Sequence, residues 1–195
     1  MTDQLTIVDL DSADLAWGEH QIAGAEQPAR IVLLRADPER GARTVMVRFP
    51  DGWTRDAVGH QPAGEEMAVL EGALSISGLT CAPGQVLVVE PNATRAATST
   101  ADGTRAVVWF SGAGGGWADG EAADAGSAEL HPADATLARG PREGLVGTLT
   151  AREDVAGAVF ETDVDVLWPG IRGWAFVPAG TPAPDIAGFA IIHTF

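Results

Sequence analysis

The sequence is poor in the residues that several common protein classes depend on. It has a single cysteine, Cys81, which excludes a disulfide within the chain. It has 12 Lys and Arg against 27 Asp and Glu, and the net charge of −15 disfavours nucleic acid and anionic membranes as partners. No apolar run approaches the roughly 18 residues that a spanning helix needs, and the N-terminus lacks signal-peptide character. We therefore expect a cytoplasmic protein.

Tyrosine is also absent, so the large aromatic side chains are six Trp and six Phe. An indole can stack on a ligand or fill a core, and the sequence does not separate these two roles for any single Trp. The hydrophobic content of 46% is sufficient to bury a core.

The most informative segment, residues 58–95, contains short apolar runs that are broken by Gly or Pro. Residues 67–70 form one such run, which stops at Gly72, and residues 73–77 form the next. A Pro83-Gly84 turn then leads to residues 85–90. Closely spaced β-branched runs of this kind predict an all-β barrel or sandwich. Residues 43–49 alternate as well, with Val45, Val47 and Phe49 on one face, which predicts a half-buried strand.

This segment resembles the two signature motifs of the cupin superfamily, which are jelly-roll barrels that often hold a metal. When the first motif is aligned on Gly72, its acidic ligand falls on Glu65 and its second histidine on His60. Val58 takes the place of the first histidine. The second motif matches at Gly84, Pro91 and Ala93, with Ala96 in the histidine position, or Arg95 if the alignment shifts by one residue. The resemblance implies cupin jelly-roll barrels in which two of the four metal ligands are retained.

Glu65 is the main candidate for a functional residue. If its side chain points into the barrel, its charge must be met by His60, Arg48, Arg95, a ligand or water. Glu65 and His60 are candidate catalytic residues for proton transfer and tentative ligands of a divalent transition metal. A slip of one residue in register would replace Glu65 with Glu66.

Further candidates for ligand binding surround this pair. Arg95 offers a guanidinium for an anion at the barrel mouth. Trp53, Arg48 and Met67 are the other predicted ligand-binding residues.

The last third of the chain repeats the first in a degenerate form. Residues 164–170 resemble residues 67–72, residues 173–177 resemble residues 85–89, and residues 191–194 resemble residues 106–109. A Gly- and Ala-rich stretch separates the two copies. We therefore predict two tandem cupin units, a bicupin: an N-terminal barrel over 1–111, a linker over 112–142, and a shorter, degenerate unit over 143–195.

The degenerate unit is predicted to be structural. Asp163 and Asp165 alternate with apolar residues, as solvent-facing positions do. His193, on a closing strand, is expected to pack or to cap a sheet edge.

Three functions follow from these expectations. The first is a cupin that binds a small organic ligand in the N-terminal barrel without metal, as a sensor or a cyclase- or isomerase-like enzyme. The second is a metal-dependent enzyme such as a dioxygenase, and the third is a regulatory or structural module with a vestigial site. The order of a strand, then Phe49-Pro50-Asp51-Gly52-Trp53, then the first motif resembles a cupin subgroup named only as domains of unknown function. It also resembles the sensor half of certain anti-sigma factors. Cupins commonly pair through edge strands, so a homodimer is expected.

Overall fold

The computed structural model describes residues 4–195, and its regular structure is almost entirely β, which confirms the predicted all-β jelly-roll class. The described residues contain one short 3-10 helix, Pro169–Ile171, and nineteen strands. In chain order the strands are β1 (Thr6–Asp9), β2 (Gly18–His20), β3 (Ala29–Asp37), β4 (Ala42–Arg48), β5 (Thr54–Arg55), β6 (Gly59–His60), β7 (Gly64–Glu71), β8 (Leu74–Ile76), β9 (Leu79–Cys81), β10 (Gln85–Val89), β11 (Thr98–Thr100), β12 (Arg105–Ser111), β13 (Ala118–Asp119), β14 (Ala128–Pro132), β15 (Ala138–Arg139), β16 (Leu149–Arg152), β17 (Val164–Trp168), β18 (Gly173–Val177) and β19 (Ala190–Thr194). None of the helical structure in residues 4–195 has the length and apolar character needed to span a membrane.

The first compact unit, Ala16–Pro132, is called the barrel unit below. Its larger sheet has the order β14-β10-β7-β12-β4-β3-β2, and its smaller sheet has the order β5-β11-β8-β9. Apolar side chains from both sheets form one core between them, in which Val47, Met67 and Leu87 come from the larger sheet and Leu74 and Ile76 from the smaller. The interior of the barrel unit is therefore filled by side chains along much of its length.

The strand breaks predicted at Gly72 and at Pro83-Gly84 are present, but β9 was not predicted. Strand β7 pairs with β10, and the β8–β9 hairpin between them belongs to the smaller sheet. Gly72 ends β7 with a φ of 68°, and a Cβ at this position would lie 2.3 Å from Thr104 Oγ1. Only glycine combines this backbone conformation with so close an approach.

The alternation in β4 was assigned correctly, but the prediction that this strand is half-buried is wrong. Val45 and Val47 face the core of the barrel unit, as predicted. Thr44 and Met46, on the other face, are also fully buried. In a strand in the middle of a sheet that is covered on both sides, the residue types still alternate, but the side chains on both faces are buried.

The second compact unit consists of residues 4–15 and 133–195 and is called the C-terminal unit below. Its single sheet has the order β1-β18-β17-β19-β16-β15. This order matches the order β14-β10-β7-β12-β4-β3 of the barrel unit, strand for strand. The predicted correspondence of β17 with β7, β18 with β10 and β19 with β12 therefore holds in the strand topology.

The predicted unit boundaries differ from this division of the chain. β14 lies inside the predicted linker, yet it pairs along its length with β10 of the barrel unit. β1 precedes the barrel unit in sequence, yet it pairs with β18 of the C-terminal unit. In each case the strand beside β10 or β18 comes from a distant part of the chain, and composition gives no signal for such a pairing.

One prediction for the C-terminal unit is wrong. Asp165 was expected to face solvent but is fully buried, because β17 lies between β18 and β19. His193 was expected to pack or to cap a sheet edge; β19 is an inner strand, and His193 is packed there, 1% exposed and beside Asp165. The imidazole also packs on Phe195 with ring centroids 4.8 Å apart.

Cys81 is predicted to be unreactive in the folded protein. Burial raises the pKa of its thiol to about 11, and the side chain is fully buried in the core of the barrel unit. At pH 8 such a thiol is ionised in about one molecule in a thousand, and only the thiolate attacks disulfide reagents. A thiol-specific chromogenic disulfide should therefore react slowly with the native protein and within seconds in denaturant. Fast reaction of native protein at pH 8 would contradict the buried position.

Candidate functional site

One end of the barrel unit carries a layer of side chains that differs from the apolar core. Glu65 in β7 lies on the same strand face as Met67 and Val69, whose side chains belong to that core. Across the sheet, Glu65 pairs with Val89 in β10 and with Phe110 in β12. Phe110 in turn pairs with Arg43 in β4. Charged and aromatic groups thus replace aliphatic ones in the last inward-facing layer of the barrel.

The charge of Glu65 is met by Arg95. Both Arg95 Nε and Arg95 Nη2 donate to Glu65 Oε1, at 3.0 and 2.6 Å, and Gln61 Nε2 donates to the same oxygen at 2.7 Å. The Glu65 side chain is 12% exposed, and Arg95 is completely buried. All hydrogen bonds to the Glu65 side chain within the described residues end on Oε1. The second oxygen, Oε2, is left for another donor.

The position of Arg95 is fixed by its own backbone and by carbonyl groups. Its main chain forms a two-way bridge with Gly59, with N···O distances of 2.7 and 3.1 Å. Its Nη1 donates to Ala93 O at 2.9 Å, and its Nη2 also reaches Ala63 O at 3.4 Å. Arg95 therefore directs its side-chain donors to acceptors within the protein, and its predicted role in ligand binding stays a prediction.

Arg55 is a further charged residue near this pair. It sits in β5, opposite Thr98 in β11, and its Nη2 donates to Thr98 Oγ1 at 3.2 Å. Its side chain is 5% exposed, and its guanidinium lies 4.6 Å from the ring centre of Trp117. Burial lowers the pKa of Arg55 to about 10; the charge of Glu65 acts to raise this pKa and that of Arg95 to lower it. The three side chains therefore share one electrostatic environment.

Arg43 completes the layer. Its guanidinium lies 4.1 Å from the ring centre of Phe110, and its Nη1 donates to Gly112 O at 3.1 Å. Burial lowers the pKa of Arg43, while the charge of Glu65 raises it. Three guanidinium groups thus gather around one carboxylate, which leaves two formal positive charges in excess.

His60 is not joined to Glu65 by any hydrogen bond among the described residues. It lies in β6, which pairs with β13, and its Nδ1 lies 3.0 Å from Gly120 O. Its ring is partly exposed. The structure therefore places the two predicted catalytic residues on neighbouring segments but gives each of them different partners.

The groups that surround the Glu65 carboxylate do not fit a transition-metal site. Glu65 Oε1 already accepts from Arg95 and Gln61, and a guanidinium beside the carboxylate repels a cation. The two other motif positions hold Val58, which is 46% exposed, and Ala96. No group of three or more His, Cys, Asp or Glu in residues 4–195 is arranged to hold a metal ion. Arg95 supplies the positive charge that a metal would supply beside this carboxylate.

The remaining predicted site residues lie elsewhere. Met67 and Trp53 are buried in the core, with Trp53 Nε1 donating to Gln27 O at 2.9 Å and its ring 4.8 Å from that of Phe49. Arg48 is exposed at the end of β4 that lies away from Arg43, with its guanidinium 5.0 Å from the ring centre of Trp17. Arg48 borders an open cavity of about 290 Å³ there.

Sequence reasoning missed Arg43, Arg55 and Gln61. A signal existed for Arg43, because it precedes Val45 and Val47 by two and four positions and so shares their inward face. No comparable signal marks Arg55, whose strand has only two residues. Its approach to Glu65 depends on the pairing of β5 with β11.

In the C-terminal unit an apolar residue takes the position of Glu65. Val164 pairs with Val177, the last residue of β18, as Glu65 pairs with Val89, the last residue of β10. Val164 is fully buried in an apolar cluster with Val166 and Ile192. At this position an apolar side chain of the C-terminal unit therefore replaces the charge of the barrel unit, and the structural role of the second copy stays a prediction.

Comparisons with protein-family models and with curated proteins found no match. Solved structures do resemble the chain. A protein from Nostoc punctiforme, with a proposed dioxygenase activity, matches 100% of this chain and 84% of its own length, with a TM-score of 0.72 and 12% identity. Ylba from Escherichia coli, of the DUF861 family, matches 97% and 90%, with a TM-score of 0.63 and 12% identity.

A third similar structure is a DUF861 family protein of unknown function from Pseudomonas syringae. It covers 97% of this chain and 98% of its own length, with a TM-score of 0.51 and 14% identity. At these identities the likeness concerns the fold. This protein accordingly has an all-β jelly-roll fold of the cupin type.

Proposed function

We propose that the protein binds a small organic molecule at the Glu65 end of the barrel unit, without the aid of a metal. This proposal rests on the hydrogen bonding of the two oxygens of the Glu65 carboxylate. One oxygen is held by Arg95 and Gln61, and the other has no donor among the described residues. A carboxylate held in this way is oriented to accept a hydrogen bond from a hydroxyl, amine or amide of a ligand.

The position of Glu65 suits a ligand that enters from the end of the barrel. Its side chain retains 12% exposure, whereas the next inward-facing residue, Met67, is 2% exposed. The core below is filled by apolar side chains, so the ligand would contact the end layer and not pass through the barrel. This geometry supports a compact ligand.

The same carboxylate supports proton transfer as a second candidate function. An ionised carboxylate with one fixed oxygen and one free oxygen can act as a general base toward a bound molecule. Arg95 would keep the carboxylate oriented, and a proton removed from the ligand would reside on Oε2. An isomerase-like reaction needs such a base and no external oxidant.

Metal-free protein should be stabilised against heat by a member of a panel of small hydroxy acids, amino acids, amides and sugars. Glu65→Gln should weaken the affinity of that compound by about tenfold or more, because the free acceptor loses its charge. Glu153→Gln, an exposed residue of the C-terminal unit, is the matched control and should leave the affinity unchanged. Calorimetric titration at a temperature where all variants are folded gives the affinities.

Two results would contradict the proposal. One is an elemental analysis that finds stoichiometric transition metal in the purified protein, together with loss of ligand binding when it is removed. The other is an affinity that is unaffected by Glu65→Gln for every compound that binds.

A further inference from the structure

Positive charge is concentrated at the end of the barrel unit in a protein that is otherwise strongly acidic. The chain has 12 basic residues and a net charge of −15. Three of the basic residues, Arg43, Arg55 and Arg95, lie close enough to Glu65 for charge interactions or hydrogen bonds. A cluster of like charges destabilises the folded protein by itself. Its presence at a partly open site indicates that it binds an anion.

The three arginines differ in how their charges are compensated. Arg95 is paired with Glu65 at 2.6 Å. Arg55 makes no ion pair in the described part of the chain, although its side chain is 95% buried. Its Nη2 donates to the neutral hydroxyl of Thr98 and its guanidinium lies over the Trp117 ring, but its Nε is buried without any acceptor. Burying a charge with an unmet donor is costly, and buried donors in native proteins are nearly always satisfied.

The unmet donor has the geometry that a carboxylate needs. A guanidinium presents Nε and an adjacent Nη as a planar fork, which matches two oxygens of a carboxylate or a phosphate. Arg43, held over Phe110, adds a second positive charge in the same layer. A hydroxy or amino carboxylate offers two oxygens to this fork and a separate donor to Oε2 of Glu65, which favours this class of ligand.

We propose that the molecule bound at the Glu65 end of the barrel is a small carboxylate anion, recognised by the buried fork of Arg55. Arg43 adds to the attraction, and Oε2 of Glu65 accepts a hydrogen bond from a hydroxyl or amine of the same molecule. This inference rests on the proposed function and specifies the class of ligand. It assigns a specificity-determining role to Arg55, which has no counterpart in the motif pattern.

The test uses four small probes with metal-free full-length protein at pH 7. Glycolate has a carboxylate and a hydroxyl, acetate has only the carboxylate, glycolamide is the neutral analogue of glycolate, and inorganic phosphate is the competing anion. Glycolate is expected to bind most tightly, acetate more weakly, and glycolamide about tenfold or more weakly than glycolate. Phosphate is expected to bind more weakly than glycolate. Binding is followed by nuclear magnetic resonance of the arginine Nε–H groups.

The Arg55 Nε–H signal, assigned by its loss in Arg55→Lys, should shift downfield on addition of glycolate as the donor gains an acceptor. Arg55→Gln should reduce glycolate affinity by about tenfold or more, and Arg55→Lys, which keeps the charge but loses the fork, should restore only part of it. Arg30→Gln is the matched control, because Arg30 is exposed on β3 of the same unit. Its affinity for glycolate should equal that of the wild type.

The possible failures are distinguishable. If glycolamide binds as well as glycolate, and Glu65→Gln weakens both, the proposed function stands and the carboxylate inference is overturned. If phosphate binds more tightly than glycolate and Arg55→Gln abolishes its binding, the site is an anion site of another class and the inference is wrong. If none of the probes shifts the Arg55 signal at millimolar concentration, the carboxylate inference fails, and the proposed function then depends on the wider panel.

Discussion

Replacing Arg95 with glutamine is expected to lower the free energy of unfolding of the barrel unit by about 3–5 kcal/mol. Arg95 is fully buried, and it supplies two of the three hydrogen bonds that Glu65 receives. Without it, the Glu65 carboxylate remains in a largely desolvated layer with only Gln61 as donor. Removing one partner of a buried ion pair costs more than the pair itself contributes, because the other charge is left uncompensated. Equilibrium denaturation in urea measures the change.

The double variant Glu65→Val with Arg95→Leu separates this explanation from a loss of packing. Valine is the residue at the equivalent position, Val164, of the C-terminal unit. With both charges removed, most of the stability should return, apart from about 1 kcal/mol for each of the two carbonyls that Arg95 bonded, at Ala93 and Ala63. Equal destabilisation of the single and double variants would contradict an electrostatic origin. The control Arg30→Gln should stay within about 0.5 kcal/mol of the wild type.

Replacing Trp53 with alanine is expected to destabilise the protein by about 3–5 kcal/mol without changing ligand affinity in the folded molecules. Its indole is 1% exposed within the core of the barrel unit and packs on Phe49. The large cavity left by the indole accounts for most of the loss. Trp53→Phe should cost less, since it fills most of the space and loses the hydrogen bond to Gln27 O. Denaturant unfolding gives the stabilities.

Titration of the folded Trp53→Phe variant with the compound identified by thermal shift gives the affinity. A weakened affinity with little change in stability would restore the interpretation of Trp53 as a ligand-binding residue. The present geometry argues against it, because the side chain is enclosed by apolar neighbours and its only polar atom has an acceptor within the protein.

The local predictions succeeded where the alternation of residues and the turn signals were strong. Residues 64–89 fold as the sequence pattern indicated, with Glu65 on the inward face of β7 and Glu66 on the other face. The strand order of the C-terminal unit reproduces the repeat that the sequence suggested. Both features depend on local properties, namely the two-residue period of a strand and the turn preference of glycine.

The predictions that failed depended on which strands become neighbours. Exposure at Asp165 was misjudged because its strand lies inside the sheet. β1 and β14 lie outside the predicted bounds of the units that they join, because each pairs with a strand far away in sequence. The composition of a segment does not indicate which other segment of the chain will pack against it.

The sequence by itself determined the all-β class and the alternation of side chains along β4 and β7, because both follow from residue spacing within one strand or turn. Only the tertiary structure decided what Glu65 meets. Arg43, Arg55, Gln61 and Arg95 come from four separate segments, and strand pairing and the bridge at Gly59 bring these segments together. Electrostatic interactions act over a few ångströms in space, so the chemistry of this site depends on distances that spacing along the chain does not specify.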